Sequence, residues 1–376
     1  MEIRFDPAMA GGLPASDIFD QVTYIPLETT KESAFGTISQ LYCTDKYFII
    51  FDQTTSAILI FLNNGRFLRK ILKDPYSGPK IYFDRPRERI MVPKGSNLLA
   101  YSLEGELLSN LPTPHIGVPY FLTKNTTVYY DYRVSNEHLP DTVNHELYIV
   151  QDGIRRAEFL PYNMKNNVVR NFDWLSVNHQ PFYDTSADSI AFYCKPYDYG
   201  VFQITPSGVK KVYQLVLPMS LTFPDSLLTS GHYKQGTLRS FFEGNIEKVN
   251  GLSFTYTLKN SFFFKLNDYN SSIHDSYIYN LETGNVVSTG SISGDQLTSF
   301  LPITDFTSGT EFMNRNFLTV DTACIYCSIP PAALFKAYES RDNKKQEYAP
   351  LLVTLFNKGS RTDNPVIVRL RPKHLY

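Results

Sequence analysis

Long apolar runs are absent from this sequence. The most apolar stretches are short, such as Tyr47–Phe51 (YFIIF). A helix needs roughly 18–20 apolar residues to cross a bilayer, so no transmembrane helix is expected. Charge of one sign is absent too: 36 Lys and Arg stand against 37 Asp and Glu, a net of −1. Nucleic-acid binders carry a broad basic field, so no nucleic-acid partner is expected. The opening residues, MEIRFDPAMAGG, hold no apolar segment of the kind an export signal requires. Either the chain is cytoplasmic, or Met1 stands where such a signal has been removed. Composition does not choose between the two.

Cysteine is scarce. Of the four, Cys43, Cys194, Cys324 and Cys327, the last two form C-x-x-C within TACIYCSIP. A redox C-x-x-C normally opens a helix, whereas this one lies in a strand-like run. On a strand, an offset of three sends side chains to opposite faces. Without a second pair or a nearby His, the spacing does not build a zinc site, and no metal is expected. Cys43 and Cys194 read as core residues. Catalytic signatures are missing as well: H-E-x-x-H, G-x-S-x-G and the P-loop do not occur. His138 and His145 flank one insertion, RVSNEHLPDTVNHELY, without a supporting Cys. No cofactor is expected, and non-catalytic function is the first reading.

Aromatic residues, by contrast, are abundant: 27 Phe and 26 Tyr beside a single Trp. Phe and Tyr favour strands. The strands announce themselves as hairpins. Six short apolar runs each meet a tight polar turn and a second apolar run. Their turns fall at Asp45-Lys46, near Arg87, at Asn125, near Asp188, at Lys259-Asn260 and at Asp321-Thr322. Most are followed by an outer hairpin with Gly in its turn, such as IFLNNGRFLRKIL, AYSLEGELLSNL, VQDGIRRAEFL, QITPSGVKKVYQL and YNLETGNVVSTG. Two hairpins in series make a four-stranded antiparallel sheet. Such sheets bury their faces by stacking radially.

The fold expected is therefore all-β: a six-bladed β-propeller in one domain spanning 1–376. Its blades fall at about 38–72, 79–112, 118–162, 180–217, 250–292 and 312–371. A β-sandwich is the structural alternative. The sixth blade is one strand short, and the spare strand Val22–Glu28 is expected to complete it and close the ring. Pro26 must then lie at an edge or a strand end, because it lacks an N–H for the ladder. Pro330-Pro331 reads as a helix start, and Pro224–Val249 as a second, looser helical insertion.

The opening, YIPLETTKESAFGTISQLYCTDKYFIIFDQTTSAILIFLNNGRFLRKI, resembles that of six-bladed, NHL-like propellers among exported proteins and lipoproteins of gut Gram-negative bacteria. Those begin with a V-x-x-I-P-L-E-T strand, a Gly-x-I-S segment and a first blade ending in N-G-[KR]-F. Here these are Val22–Thr29, Gly36–Ser39 and Asn64–Phe67. ADSIAFYCKPYDYGVFQITPSGVKKVY is similar to the family's fourth blade, and DNPVIVRLRPK to its closing strand. The resemblance spans nearly the whole chain. It implies a location in the periplasm, at the cell surface or outside the cell, with a lipid anchor possible upstream. The family has no settled activity.

A propeller binds ligands at one mouth of its channel. The ends of the second strands place Asp52, Lys94, Asp131 with Arg133, Lys195, Lys265 and Ser328 toward such a mouth. Lys94, Arg133, Lys195 and Lys265 are expected to gather there around an anionic group. Tyr132, Tyr197 and Tyr199 stand near for stacking, or pack between blades. Catalytic lactonase-type propellers hold a divalent cation with oxygen ligands, where this chain has mostly Lys and Arg. Three functional readings follow. The first is a monomeric binding propeller for a glycan, peptide or protein. The others are a propeller-type hydrolase or lyase acting on carbohydrate, and a scaffold docking a partner through its helical insertions.

Overall fold

A computed structural model describes residues 1–72, 80–113, 117–131, 143–163, 181–195, 197–224, 227, 240–268, 276–304, 317–340, 347–374 and 376. It is a six-bladed β-propeller. The chain opens with two strands, β1 (Glu2–Arg4) and β2 (Phe19–Pro26), that join blades completed much later. Blade one is β3 (Gln40–Cys43), β4 (Tyr47–Asp52), β5 (Ala57–Leu62) and β6 (Phe67–Leu72). Blade two is β7 (Tyr82–Asp84), β8 (Arg89–Lys94), β9 (Asn97–Tyr101) and β10 (Leu107–Pro112). Blade three is β11 (Val118–Phe121), β12 (Thr126–Tyr130), β13 (Val143–Gln151) and β14 (Ile154–Asn163). Blade four is β15 (Phe182–Asp184), β16 (Ala191–Cys194), β17 (Gly200–Thr205) and β18 (Gly208–Val216). Blade five is β19 (Gly251–Leu258), β20 (Ser261–Asn267), β21 (Ser276–Asn280) and β22 (Val286–Ser288). Blade six is β23 (Thr319–Val320), β24 (Ile325–Ile329) and β25 (Val366–Pro372), with β2 as its outermost strand.

Radial stacking explains the sequence of the middle strands. In YFIIFD and AILIFL nearly every residue is buried, because both faces of a blade meet a neighbour. Alternate residues go to different neighbours. Phe48 and Ile50 join Tyr326 and Ile367 of blade six, while Ile49 and Phe51 join Ile90 and Val92 of blade two. A strand buried on one face only would alternate apolar with polar. The same logic separates the C-x-x-C pair: Cys327 faces one core cluster and Cys324 another.

Ring closure follows expectation. β2 pairs antiparallel with β25 from Phe19↔Pro372 to Pro26↔Val366, and Pro26 ends an edge strand. Two helices between β24 and β25 form the expected insertion. The first, α2 (Pro331–Glu339), starts at its proline, and α3 (Pro350–Lys358) does the same. α1 (Ala15–Ile18) is a single turn before β2. Of the insertion expected at Pro224–Val249, residues 225–226 and 228–239 lie outside the described residues, and 240–243 form a short helical turn.

One blade departs from the four-stranded expectation. β1 adds to β18 in parallel, Glu2↔Gln214 to Arg4↔Val216, giving blade four five strands. The chain then passes along the outer edge of blade five, where Gly11 bridges Val287 and Pro14 bridges Ser293. It next enters blade six as β2. The first 26 residues thus form a belt over three consecutive outer edges. Alternation sets its register: Ile3 and Phe5 are buried, while Glu2 and Arg4 face solvent.

Candidate functional site

The six first strands, β3, β7, β11, β15, β19 and β23, line the central channel. Five of them carry a tyrosine: Tyr42, Tyr82, Tyr120, Tyr183 and Tyr256. Burial raises the hydroxyl pKa of each, that of Tyr82 to about 12. The lumen is uneven. Tyr256 packs edge-on against Tyr183, ring centroids 5.9 Å apart, and its hydroxyl donates to the Leu318 carbonyl at 2.7 Å. On the other side lies a cavity of about 840 Å³, lined by residues of blades one, two, three, four and six.

This cavity opens at the mouth formed by the turns of the inner hairpins. Cys43–Asp45, Arg85, Lys124, Asp184–Ser189 and Asp321 all reach it. Four blades are tied together there. The Arg85 guanidinium of blade two pairs with Asp184 of blade four at 3.1 Å and donates to the Cys43 carbonyl of blade one at 2.7 Å. The Tyr120 hydroxyl of blade three donates to the other Asp184 oxygen at 2.7 Å. Burial by itself would lower the Arg85 pKa, but the facing Asp184 carboxylate outweighs it and the net shift is upward. Gln40 fixes the adjoining wall: its side chain exchanges hydrogen bonds with both the N–H and the carbonyl of Ile81, and the Tyr42 hydroxyl donates to the same carbonyl.

The rest of the lining is mixed. Asp321 accepts from the Tyr326 hydroxyl and from the N–H groups of Ala323 and Cys324. Lys80 stands at the wall, where burial lowers its amine to about 8. Five carboxylates, Asp45, Glu88, Asp184, Asp188 and Asp321, face four cations, Lys80, Arg85, Lys124 and Arg369. Arg369 forms no ion pair among the described residues. The rings of Tyr82 and Phe121 line the cavity and are half-buried.

Of the residues that sequence reasoning placed at a mouth, the described ones stand at the opposite end of the channel, where second strands end. Lys195 ion-pairs with Glu146, which is 0% exposed, at 2.9 Å, and the Tyr193 hydroxyl donates to the other oxygen of Glu146 at 2.6 Å. Asp52 accepts from the Thr54 N–H and the Thr55 hydroxyl, so it shapes its own turn. Asp131 and Ser328 are buried, Lys265 is half-buried, and Lys94 is exposed. Tyr197 packs on Phe242 and Phe223, and Tyr199 donates to the Val249 carbonyl. Tyr132 and Arg133 lie outside the described residues.

Sequence reasoning missed the inner-hairpin mouth because its polar residues sit in turns, and turns are polar in any protein. The usable signal was the tyrosine repeated in five first strands.

Fold and site define a β-propeller with a small-molecule-sized cavity at one end of its channel. The family model described as "Domain of unknown function (DUF4934)" matches residues 3–371, and the chain belongs to that family. Among solved structures it is similar to a Bacteroides fragilis protein proposed in its description to be exported. That likeness has 11% identity, covers 99% of this chain and 100% of the other, and has a TM-score of 0.67. A Bacteroides vulgatus member of the DUF4221 family matches at 11% identity over 95% and 98% of the chains, TM-score 0.45. A Staphylococcus aureus virginiamycin B lyase matches at 10% over 71% and 73%, TM-score 0.36. At 11% identity, the likeness to the Bacteroides fragilis protein is one of fold alone. No curated protein matches the chain.

Proposed function

We propose that this protein is a non-catalytic binding propeller that holds a small ligand in the cavity at its inner-hairpin mouth. One observation carries the reading. The cavity, about 840 Å³, has the size of small-molecule sites, roughly 300–1,000 Å³, and polar side chains from different blades converge on it. Its best-placed carboxylates are already engaged: Asp184 by Arg85 and Tyr120, Asp321 by Tyr326 and two backbone N–H groups. Both are committed to contacts that hold the walls of the cavity in place. Such a set orients a ligand rather than transforming it. The resemblance to exported propellers supports a place in the periplasm, at the cell surface or outside the cell. Binding by a single chain needs no second copy.

A thermal-shift screen tests this directly, with oligosaccharides, small carboxylates and dipeptides as probes. A ligand of the native state stabilises it by mass action. Ala187 lines the cavity from an exposed turn, so Ala187→Trp obstructs it without touching the core. Stabilisation of the wild type that Ala187→Trp abolishes is the expected result. Stabilisation equal in both proteins, or none with any probe, contradicts the reading.

A further inference from the structure

The cavity's charge points to a class of ligand. From its lining we infer that the site takes a neutral polyhydroxylated molecule, a saccharide of one to a few units. Its hydroxyls would meet the Arg85–Asp184 pair, and its C–H faces would lie against Tyr82 and Phe121. This rests on the binding reading above and narrows it.

Four features argue for that class. The five carboxylates and four cations of the lining nearly cancel, so the cavity offers no strong field to an anion or a cation. Arg85, the cation that joins the blades, is held by Asp184 and by the Cys43 carbonyl. An anion recruiting it would displace Asp184 and strand that carboxylate in a partly dry site, which is unfavourable. A hydroxyl has no such conflict: it accepts from a guanidinium and donates to a carboxylate at once, leaving the pair intact. The cavity also offers aromatic surface beside polar groups. Tyr82 and Phe121 are half-buried, and the Tyr82 hydroxyl has no hydrogen-bond partner among the described residues. Rings of this kind cover the apolar side of an amphipathic ligand while polar neighbours satisfy the rest. A purely apolar ligand would take water from these charged groups and offer them no hydrogen bond in return. A flat macromolecular surface would not enter a concave site of this size.

Titration calorimetry on the full chain tests the inference. The neutral probes are mono- to trisaccharides of glucose, galactose, mannose, xylose and N-acetylglucosamine. Trigalacturonic acid, spermidine and dialanine represent anions, cations and zwitterions. The expected result is that at least one neutral sugar binds the wild type. Its affinity should fall tenfold or more in Phe121→Ala, with the melting temperature of the free protein checked, and vanish in Ala187→Trp. If only a charged or zwitterionic probe binds, and Ala187→Trp abolishes it, the ligand class is wrong while the cavity reading survives. If no probe of any class binds, or if sugar binding persists in Ala187→Trp, both are overturned.

Discussion

At the scale of single residues, the structure separates charges that hold the protein together from charges that face the cavity. Lys195 and Glu146 are of the first kind. Glu146 is fully buried, and Lys195 is its cationic partner at 2.9 Å. Removing one member of a buried pair leaves the other uncompensated, at a cost of about 3–5 kcal/mol. Lys195→Met is therefore expected to lower stability in urea unfolding by about that much. Adding Glu146→Gln should recover most of the loss, which a role confined to ligand contact would not predict. Lys80 is of the second kind. Its folded-state pKa of about 8 lies below the ordinary 10.5 because burial disfavours the charged amine. Between these values the unfolded chain binds more protons than the native one. Stability contributed by this group accordingly rises as pH increases from 8 to 10.5, and below pH 8 the cost of the buried charge is fully present. Lys80→Met should raise the melting temperature at pH 7 and flatten that rise. An unchanged profile would mean the amine is well solvated.

At the scale of elements, the N-terminal belt is the feature with most consequence. An open outer strand is a template for pairing with other chains, and the belt covers the outer edges of blades four, five and six. Phe5 anchors it, buried edge-on against Phe264 at 5.3 Å and Tyr277 at 4.8 Å between ring centroids. Phe5→Ala should cost about 3–5 kcal/mol in chemical denaturation. A chain lacking residues 1–9 should in addition aggregate, through the bared edge of β18, as read by light scattering. Hairpins were the legible part of this fold. Each is local, with its turn residues and both strands inside one short window. All six inner turns fall where Asp45, Arg87, Asn125, Asp188, Asn260 and Asp321 place them. β2 was legible because blade six lacked a strand. β1 was not, since three residues give no period to read and blade four already had its four strands. The site was less legible still. Arg85 and Asp184 lie 99 residues apart, and only the closed ring brings them together. The second-strand ends read as a basic mouth because sequence shows Lys195 but not the Glu146 that neutralises it from the next blade.

At the scale of the whole molecule, six blades make a ring that is not symmetric in its lumen. β15 and β23 approach one another across it, and among the described residues the cavity is lined by blades one, two, three, four and six but not by blade five. The asymmetry gives the channel two different ends. One carries the Lys195–Glu146 ion pair and the Asp52 turn. The other has an open cavity, a balanced set of charges and half-exposed rings. The central claim is that ligand enters at the second. Hydrogen exchange by mass spectrometry, with and without the saccharide panel, measures this most directly. The account predicts slowed exchange in the inner-hairpin turns, at Cys43–Asp45, Arg85–Glu88, Phe121–Lys124 and Asp184–Ser189. Protection confined to the other end, around Lys94, Lys195 and Lys265, would contradict it.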